Sequence, residues 1–177
     1  MNTGGNSRKI DSRRNIESAF LKLMQTREIN QISVTEICKK TGLNRSTFYA
    51  NYLDIYDLAD QIAQELERDV RDLYDGKMHS YEEQIGDYFQ KLLIHIKDNQ
   101  LFYKTYFKLN MEKRFVFREA DVPAGNEWFG GEHIEYHVRF FMAGFNAVVK
   151  MWLDGGCKEL PEEMQRILES EYKRNLT

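Results

Sequence analysis

Residues 33–49 constrain this chain most, because they predict two short helices joined by a tight turn. Ser33 and, three residues later, Glu36 match a capping box at the start of the first helix. Gly42 stands where the chain must turn, in a conformation that is costly for any residue with a Cβ atom. Asn44 is a suitable N-cap for the second helix. The segment therefore predicts a helix-turn-helix.

The second of these helices begins with small polar residues and an arginine over residues 44–47, and it ends with Phe48 and Tyr49. A protruding start of this kind suits the major groove of DNA, where it meets phosphates and base edges. The alternative is an ordinary helical hairpin, but such a pair more often begins its second helix with acidic residues.

Helical periodicity extends on both sides of this motif. A helix is predicted over residues 10–27, after a Gly- and Asn-rich segment, residues 1–7, that we expect to be disordered. A longer helix is predicted over residues 55–74, with Asp54 as its N-cap. The inner stripes of these two helices are Ile16, Ala19, Phe20, Leu23 and Met24 in the first and Leu58, Ile62, Ala63 and Leu66 in the second.

Beyond residue 74 the pattern stays helical, and nothing in it suggests a strand. The predicted helices cover residues 81–97, 101–109, 112–119 and 132–153, and a last helix follows Pro161. Residues 121–131, with one proline and three glycines, form the least regular stretch. The sequence therefore predicts an all-α protein.

Charge is distributed unevenly along the chain. Residues 1–53 contain nine Lys/Arg and four Asp/Glu, which gives a net charge of +5. Because the whole chain carries −3, residues 54–177 carry −8. This asymmetry fits a basic N-terminal head that binds DNA phosphates and an acidic body that does not contact DNA. The alternative is that the charges are segregated by chance.

The run from Ile32 through Thr41-Gly-Leu-Asn-Arg-Ser-Thr-Phe-Tyr49 to Tyr52-Leu-Asp-Ile-Tyr-Asp-Leu58 resembles the DNA-binding domain of the tetracycline-repressor-like (TetR/AcrR) family of bacterial transcription regulators. The resemblance covers about residues 10–60. It implies a DNA-binding domain over residues 1–60, with a three-helix helix-turn-helix head, and a helical regulatory and dimerisation domain over residues 61–177.

Family members commonly carry lysines near the start of the fourth helix that hold phosphates. This chain has Leu53 and Ile55 there instead, a change that we expect to weaken non-specific binding.

Roles in DNA binding follow from the chemistry of the side chains. We expect Arg45 to read a base edge, with guanine as its partner, and Ser46 and Tyr49 to touch bases or the flanking backbone. The expected DNA-binding residues are Thr35, Lys39, Asn44, Arg45, Ser46, Thr47, Tyr49 and Tyr52, of which Thr35, Lys39, Thr47 and Tyr52 would hold phosphates, with Arg8, Lys9 and Arg13 as a loose basic arm.

The helix over residues 132–153 is apolar on more than a single stripe and must be buried on two sides. We therefore expect the last two helices to form a homodimer interface, with Ala143 and Gly144 allowing close approach. The resemblance implies the same interface, and the alternative is a monomer with a thick core. Two heads about 34–36 Å apart would reach successive major grooves of an inverted-repeat operator in double-stranded DNA.

Aromatic residues in the body are candidates for a small-molecule effector pocket. These residues are Tyr88, Phe89, His95, Phe102, Tyr103, Tyr106, Phe107, Phe141 and Phe145. The alternative is that they form plain hydrophobic core, which is the usual role of aromatics at helical spacing.

Other classes of function find little support. His133 and His137 have a spacing that can bind zinc, but the intervening Glu135 is not placed as in the metalloprotease motif, and surface or core histidines are the better interpretation. No catalytic order, phosphate loop or dinucleotide fingerprint is present, so neither an enzyme nor a cofactor is predicted. Cys38 and Cys157 lack partner spacing, and no export signal or membrane span is visible, which favours the bacterial cytoplasm.

Two hypotheses for function remain open. The first is a dimeric, sequence-specific transcription regulator, usually a repressor, released by a small-molecule effector. The second is a helical adaptor or co-regulator that acts through protein–protein contacts and binds DNA weakly, because it lacks the fourth-helix lysines.

Overall fold

The computed structural model describes residues 3–73, 81–114 and 133–173, and within these ranges it describes the side chains of residues 8–73, 87–112 and 133–170. This part of the chain is all-α and contains no strand. Its helices are α1 (Thr3–Met24), α2 (Val34–Thr41), α3 (Arg45–Tyr49), α4 (Ile55–Asp72), α5 (Tyr81–Asp98), α6 (Gln100–Lys108), α7 (Ile134–Asp154) and α8 (Pro161–Lys173). Short 3-10 turns occupy Ile29–Gln31 and Met111–Arg114.

The chain divides into two compact units, Met1–Asp69 and Val70–Thr177. The sequence predicts a boundary near residue 60 instead. The difference has a physical cause in α4, which continues without a break through residue 60. Its apolar face stays buried as far as Leu66, so this helix belongs to the core of the first unit for most of its length.

The first unit encloses a core to which α1–α4 all contribute. Phe20 of α1, Ile37 of α2, Phe48 of α3 and Leu58 of α4 are fully buried. Each predicted inner-stripe residue of α1 and α4 is buried as well. The first helix begins at Thr3, so that it includes most of the segment predicted to be disordered, because each added residue of a nucleated helix gains a hydrogen bond.

The helix-turn-helix has the N-cap at Ser33 and the glycine turn that the sequence predicts, but the capping box is not complete. The Ser33 hydroxyl oxygen accepts a hydrogen bond from the Glu36 N–H at 3.2 Å, which caps α2. The Glu36 carboxylate pairs with Arg27 at 2.7 Å instead of completing the capping box, because a charge-assisted pair is the stronger interaction. Gly42 ends α2 in the left-handed region, at φ +71°.

Replacing Gly42 with alanine is expected to destabilise the first unit by about 1–2 kcal/mol. A Cβ atom at Gly42 meets nothing within 4 Å, so the loss comes from backbone conformation and not from a clash. Gly42→Asn is the matched control and is expected to lose less, since asparagine tolerates the left-handed region. Thermal unfolding of the three proteins measures the difference, and equal losses for Ala and Asn would contradict the backbone explanation.

The second unit is built from two helix pairs. Helix α5 packs against α8, and α6 packs against α7. Its core includes Leu93 and Ile96 of α5 and Val149, Trp152 and Leu153 of α7. The predicted helix over residues 112–119 corresponds in part to the 3-10 turn Met111–Arg114, while its remainder and the irregular stretch 121–131 lie outside the described residues.

Helix α7 also exposes large apolar side chains. Tyr136, Phe140 and Met151 are 75%, 77% and 69% exposed, whereas Phe145 and Val149 on the opposite face are buried. These exposed residues share one helical face with Ala143, Gly144 and Ala147, which are also exposed. We call this set of six the α7 stripe. Among the described residues, no helix is long and apolar enough to cross a membrane.

Candidate nucleic-acid interface

Helix α3 lies at the surface with its polar start facing outward. Phe48 anchors the helix from beneath, because its ring is fully buried and lies 5.7 Å from the ring of Tyr52. Asn44, Arg45 and Ser46 are exposed at the other end of the helix. Helix α3 is therefore anchored at one end by Phe48 and presents its polar start to solvent.

The first turn of α3 is held by Asn44. Its Oδ1 accepts hydrogen bonds from the Thr47 N–H, the Thr47 hydroxyl and the Ser46 hydroxyl, each at 2.7 Å. A hydroxyl that donates to Asn44 turns its lone pairs outward, where they can accept from the amino groups of adenine or cytosine. A phosphate contact from Thr47, by contrast, requires its hydroxyl to rotate away from Asn44.

Replacing Asn44 with alanine is expected to destabilise the first unit by about 1 kcal/mol, because α3 loses its cap. Asn44→Asp is the informative comparison, since it keeps a capping oxygen and adds a negative charge. We expect the Asp variant to retain its unfolding temperature and to bind DNA less tightly, because the carboxylate repels phosphate. The cap assignment is wrong if both variants unfold at the temperature of the parent.

Other predicted contact residues are exposed as well. On α2, the side chains of Thr35 and Lys39 are exposed, and on α1 those of Arg8 and Lys9 are exposed. The ring of Tyr49 is 53% exposed and meets the ring of Phe48 edge to face, with centroids 5.6 Å apart. These five side chains are therefore able to reach a ligand of the first unit.

Tyr52 is a correction to the sequence prediction. We expected it to hold a phosphate, but its side chain is 2% exposed and its hydroxyl donates to Glu17 Oε1 at 2.6 Å. Burial, together with the hydrogen bond to Glu17 and the charge on that carboxylate, raises the pKa of Tyr52 well above its ordinary value. The phenol therefore stays protonated and acts as a donor inside the protein.

Arg13 is also not the loose arm residue that we expected. Its guanidinium donates to Glu17 Oε1 at 2.8 Å and to Glu65 Oε1 at 2.5 Å, and it lies 5.7 Å from the centre of the Tyr52 ring. Partial burial works against the charge, but the hydrogen bond to Glu17 and the surrounding negative groups prevail and raise the pKa of Arg13. Arg13 is thus held by side chains of the protein.

Glu17 and Glu65 are residues that sequence reasoning missed. The available signal was the position of Glu17, three residues before Phe20 on the buried face of α1, where it is only 9% exposed. A carboxylate on such a face requires partners, and the two donors Tyr52 and Arg13 provide them. No comparable signal marked Glu65.

Eight of the nine residues proposed for an effector pocket contact one another in three groups in the second unit. The first is Tyr88, Phe89, Phe141 and Phe145, with ring centroids 5.6–6.0 Å apart, and the second is His95 with Tyr103, joined by a 2.8 Å hydrogen bond. The third is Tyr106 with Phe107, whose ring lies 5.0 Å from the Lys150 ammonium. Phe102 is half-buried on α6.

His133 and His137 are both exposed at the start of α7. Across the part of the chain that the structure describes, no group of three or more His, Cys, Asp or Glu residues is arranged to hold a metal ion. Cys38 and Cys157 are buried free thiols.

Solved structures show the same fold at low sequence identity. The fatty acid degradation regulator FadR from Bacillus halodurans superposes with a TM-score of 0.70 at 12% identity, covering 91% of this chain and 94% of that chain. A TetR-family regulator from Haemophilus influenzae gives 0.66 at 13% identity, covering 93% and 96%. A TetR regulator from Streptococcus agalactiae gives 0.64 at 20% identity, covering 95% and 97%. No curated protein sequence matches the chain.

The sequence itself matches a family model over residues 83–171, which is half of the chain. That model describes the C-terminal region of TetR-type transcriptional regulators. The match lies in the second unit, whereas the helix-turn-helix resemblance lies in the first, so the two indications are independent. The chain belongs to the TetR family of transcriptional regulators.

Proposed function

We propose that this protein is a homodimeric transcriptional repressor that inserts α3 of each protomer into the major groove of an inverted-repeat operator. The observation that carries the proposal is the outward-facing start of α3, where Asn44, Arg45 and Ser46 are exposed above the buried Phe48. Such a helix start meets base edges and phosphates together. We place the protein in the bacterial cytoplasm, where it would meet such an operator.

The chemistry of each side chain determines which part of the DNA it would contact. Arg45 reads a base edge, and guanine is the partner that its guanidinium can bind with two hydrogen bonds. Ser46 and Tyr49 contact bases or the adjoining backbone. Phosphates are held by Thr35, Lys39 and Thr47, with Arg8 and Lys9 of α1 as a basic arm, and Tyr52 is removed from this set.

Dimerisation is supported by the α7 stripe. A monomer in water seldom exposes three large apolar side chains in one line, and here they flank three residues with small or no side chains. Large residues at the ends and small ones at the centre suit a second α7 that crosses closely at Gly144. A Cβ atom built at Gly144 meets nothing within 4 Å in the protomer, so the space at this glycine is available to a partner.

Helix α8 extends the same proposal. Ile167 is 45% exposed, and Leu160, which precedes the helix, is 56% exposed. A two-fold axis would bring α7 and α8 of both protomers into a four-helix interface, in which each contact occurs twice. Two copies of α3 spaced by about 34–36 Å then reach successive major grooves on one face of the duplex.

Release by a small molecule completes the proposed function. The body supplies one aromatic group in which Tyr88, Phe89 and Phe141 are half-buried and Phe145 is buried, together with the hydrogen-bonded pair His95–Tyr103. An effector bound among these residues would stabilise one separation of the heads over another. Thermal unfolding in the presence of candidate metabolites tests for such a ligand, since one that binds only the folded protein raises the unfolding temperature.

Selection from a pool of random DNA duplexes tests the DNA-binding proposal. After several rounds of binding, the recovered sequences are expected to share an inverted repeat whose half-sites lie about one helical turn apart. Recovery of unrelated sequences, or of a single half-site without symmetry, would contradict the proposal. A reporter gene behind the recovered site then determines whether the protein represses or activates.

An adaptor function is the second candidate, and the start of α4 favours it. Ile55 is buried there and Leu53 is 80% exposed, while the carboxylate of Asp54 accepts hydrogen bonds from the N–H groups of Tyr56 and Asp57. This helix start presents acidic caps and no cation. An adaptor would show no salt-sensitive, sequence-selective band in an electrophoretic shift, whereas a regulator would show one.

A further inference from the structure

A buried polar network connects three segments of the first unit behind the DNA-facing surface. Glu17 of α1 accepts hydrogen bonds from Tyr52, which follows α3, and from Arg13, which also reaches Glu65 of α4. We propose that this network is a latch through which α4 sets the position of α3, so that Arg13 and Glu65 are positioning residues for DNA binding and not DNA contacts. The inference rests on the DNA-binding function proposed above.

Tyr52 is the point at which the latch holds α3. The Tyr52 N–H donates to the carbonyl oxygen of Phe48 at 3.0 Å, and the rings of the two residues are 5.7 Å apart. Phe48 belongs to α3, only three residues after Arg45. A movement of the Tyr52 side chain therefore displaces α3 and the exposed residues at its start.

The two ends of the network differ in their exposure to water. The Glu17–Tyr52 end is buried, and a buried carboxylate that loses a donor is strongly destabilised. At the other end, the side chains of Arg13 and Glu65 are 35% and 37% exposed, so water can replace either partner. The Arg13–Glu65 contact is therefore the part of the latch that opens first.

The position of Glu65 on α4 would allow this contact to respond to movements of the second unit. The chain passes from the first unit to the second near the end of α4, and Glu65 lies only four residues before the division at Asp69. A displacement of α4 relative to α1 would lengthen the Arg13–Glu65 contact. Arg13 would then be free to shift on Glu17 and Tyr52, and α3 would lose its fixed position.

Glu65→Gln tests the latch because simple electrostatics and the latch predict opposite changes in DNA affinity. Removing a negative charge from the DNA-binding unit strengthens binding by electrostatics alone. The latch predicts the reverse: the Kd for the selected operator duplex should rise about tenfold, a change within the usual range of coupling free energies between two sites. Glu67→Gln is the matched control, since it removes the same charge two residues along α4, and it is expected to bind as tightly as the parent or more tightly.

Arg13→Lys provides a second test that keeps the charge of the unit. A lysine cannot bridge Glu17 and Glu65 with a planar fork, so the latch predicts weaker binding with an unchanged dependence of log Kd on log salt concentration. Thermal unfolding establishes that each variant is folded at the assay temperature.

The latch is overturned if Glu65→Gln binds as Glu67→Gln does, or if Arg13→Lys retains full affinity. The two variants together should lose little more than either alone, because both break one contact. Failure of the proposed function itself looks different, since the parent protein would then select no operator.

Discussion

Replacing Arg45 with alanine is expected to weaken binding to the selected operator by at least about thirtyfold, with little loss on scrambled DNA of the same length. Each bidentate contact to a base contributes about 1–3 kcal/mol of discrimination, and an inverted repeat contains two such contacts. Arg45 is exposed at the first position of α3, so its removal leaves the core of the unit unchanged. Fluorescence anisotropy with both duplexes measures the two affinities.

Arg45→Lys serves as the control for charge. It keeps one positive charge at the same position, so the affinity for scrambled DNA and the salt dependence are expected to stay near those of the parent. Its preference for the operator is expected to fall, because an ammonium group cannot form the paired hydrogen bonds of a guanidinium. If Arg45→Ala weakens binding equally for operator and scrambled DNA, Arg45 contributes electrostatically and does not read a base.

Phe140→Glu is expected to convert the proposed dimer into monomers and to abolish operator binding at concentrations where the parent binds. Phe140 is 77% exposed in the protomer, so the change does not disturb the core of the second unit. In a two-fold interface the residue is buried twice, and an anchoring aromatic contributes about 2 kcal/mol or more per copy. The dimer dissociation constant is therefore expected to rise roughly a thousandfold, as measured by light scattering after size-exclusion chromatography.

Arg139→Glu is the matched control for this variant. Arg139 precedes Phe140, is also exposed, and lies about 100° away around the helix, to the side of the α7 stripe. The change in charge is larger than in Phe140→Glu, yet we expect this variant to remain dimeric. A Phe140→Glu protein that stays dimeric would contradict the assignment of the α7 stripe as the interface.

The parts of the fold that could be predicted from sequence are those set by local interactions. Ser33, Gly42 and Asn44 act on backbone groups within three or four residues of themselves, and the structure confirms all three roles. Periodicity also identified the buried faces of α1 and α4. The bounds of these two helices were less accurate, because a helix ends where packing and capping end and not where a pattern weakens.

Whether a polar side chain faces solvent or the protein interior could not be predicted in the same way. Whether the Tyr52 hydroxyl faces DNA or the interior depends on Glu17, which is 35 positions earlier in the chain. The link from Arg13 to Glu65 spans 52 positions. Such partners become neighbours only when α1 and α4 pack, and single-sequence periodicity carries no information about their register.

Helix α7 shows a third case. The sequence predicts how much apolar surface the helix has, but not which apolar residues face the core and which face outward. Phe145, Val149 and Trp152 fill the core of the second unit. The prediction of burial on two sides does not say which residues line each side, and in the structure Tyr136, Phe140 and Met151 face outward. Which apolar residues face inward depends on where α6 packs against α7, and this contact is not encoded in the helix alone.

Hydroxyl-radical footprinting of the operator complex tests most directly that α3 is presented twice by a two-fold assembly. A two-fold assembly is expected to give two symmetric patches of protection on one face of the duplex, with centres about one helical turn or a whole number of turns apart. Phe140→Glu is expected to lose both patches together. A single unsymmetric patch, or protection that survives unchanged in the monomeric variant, would contradict the account.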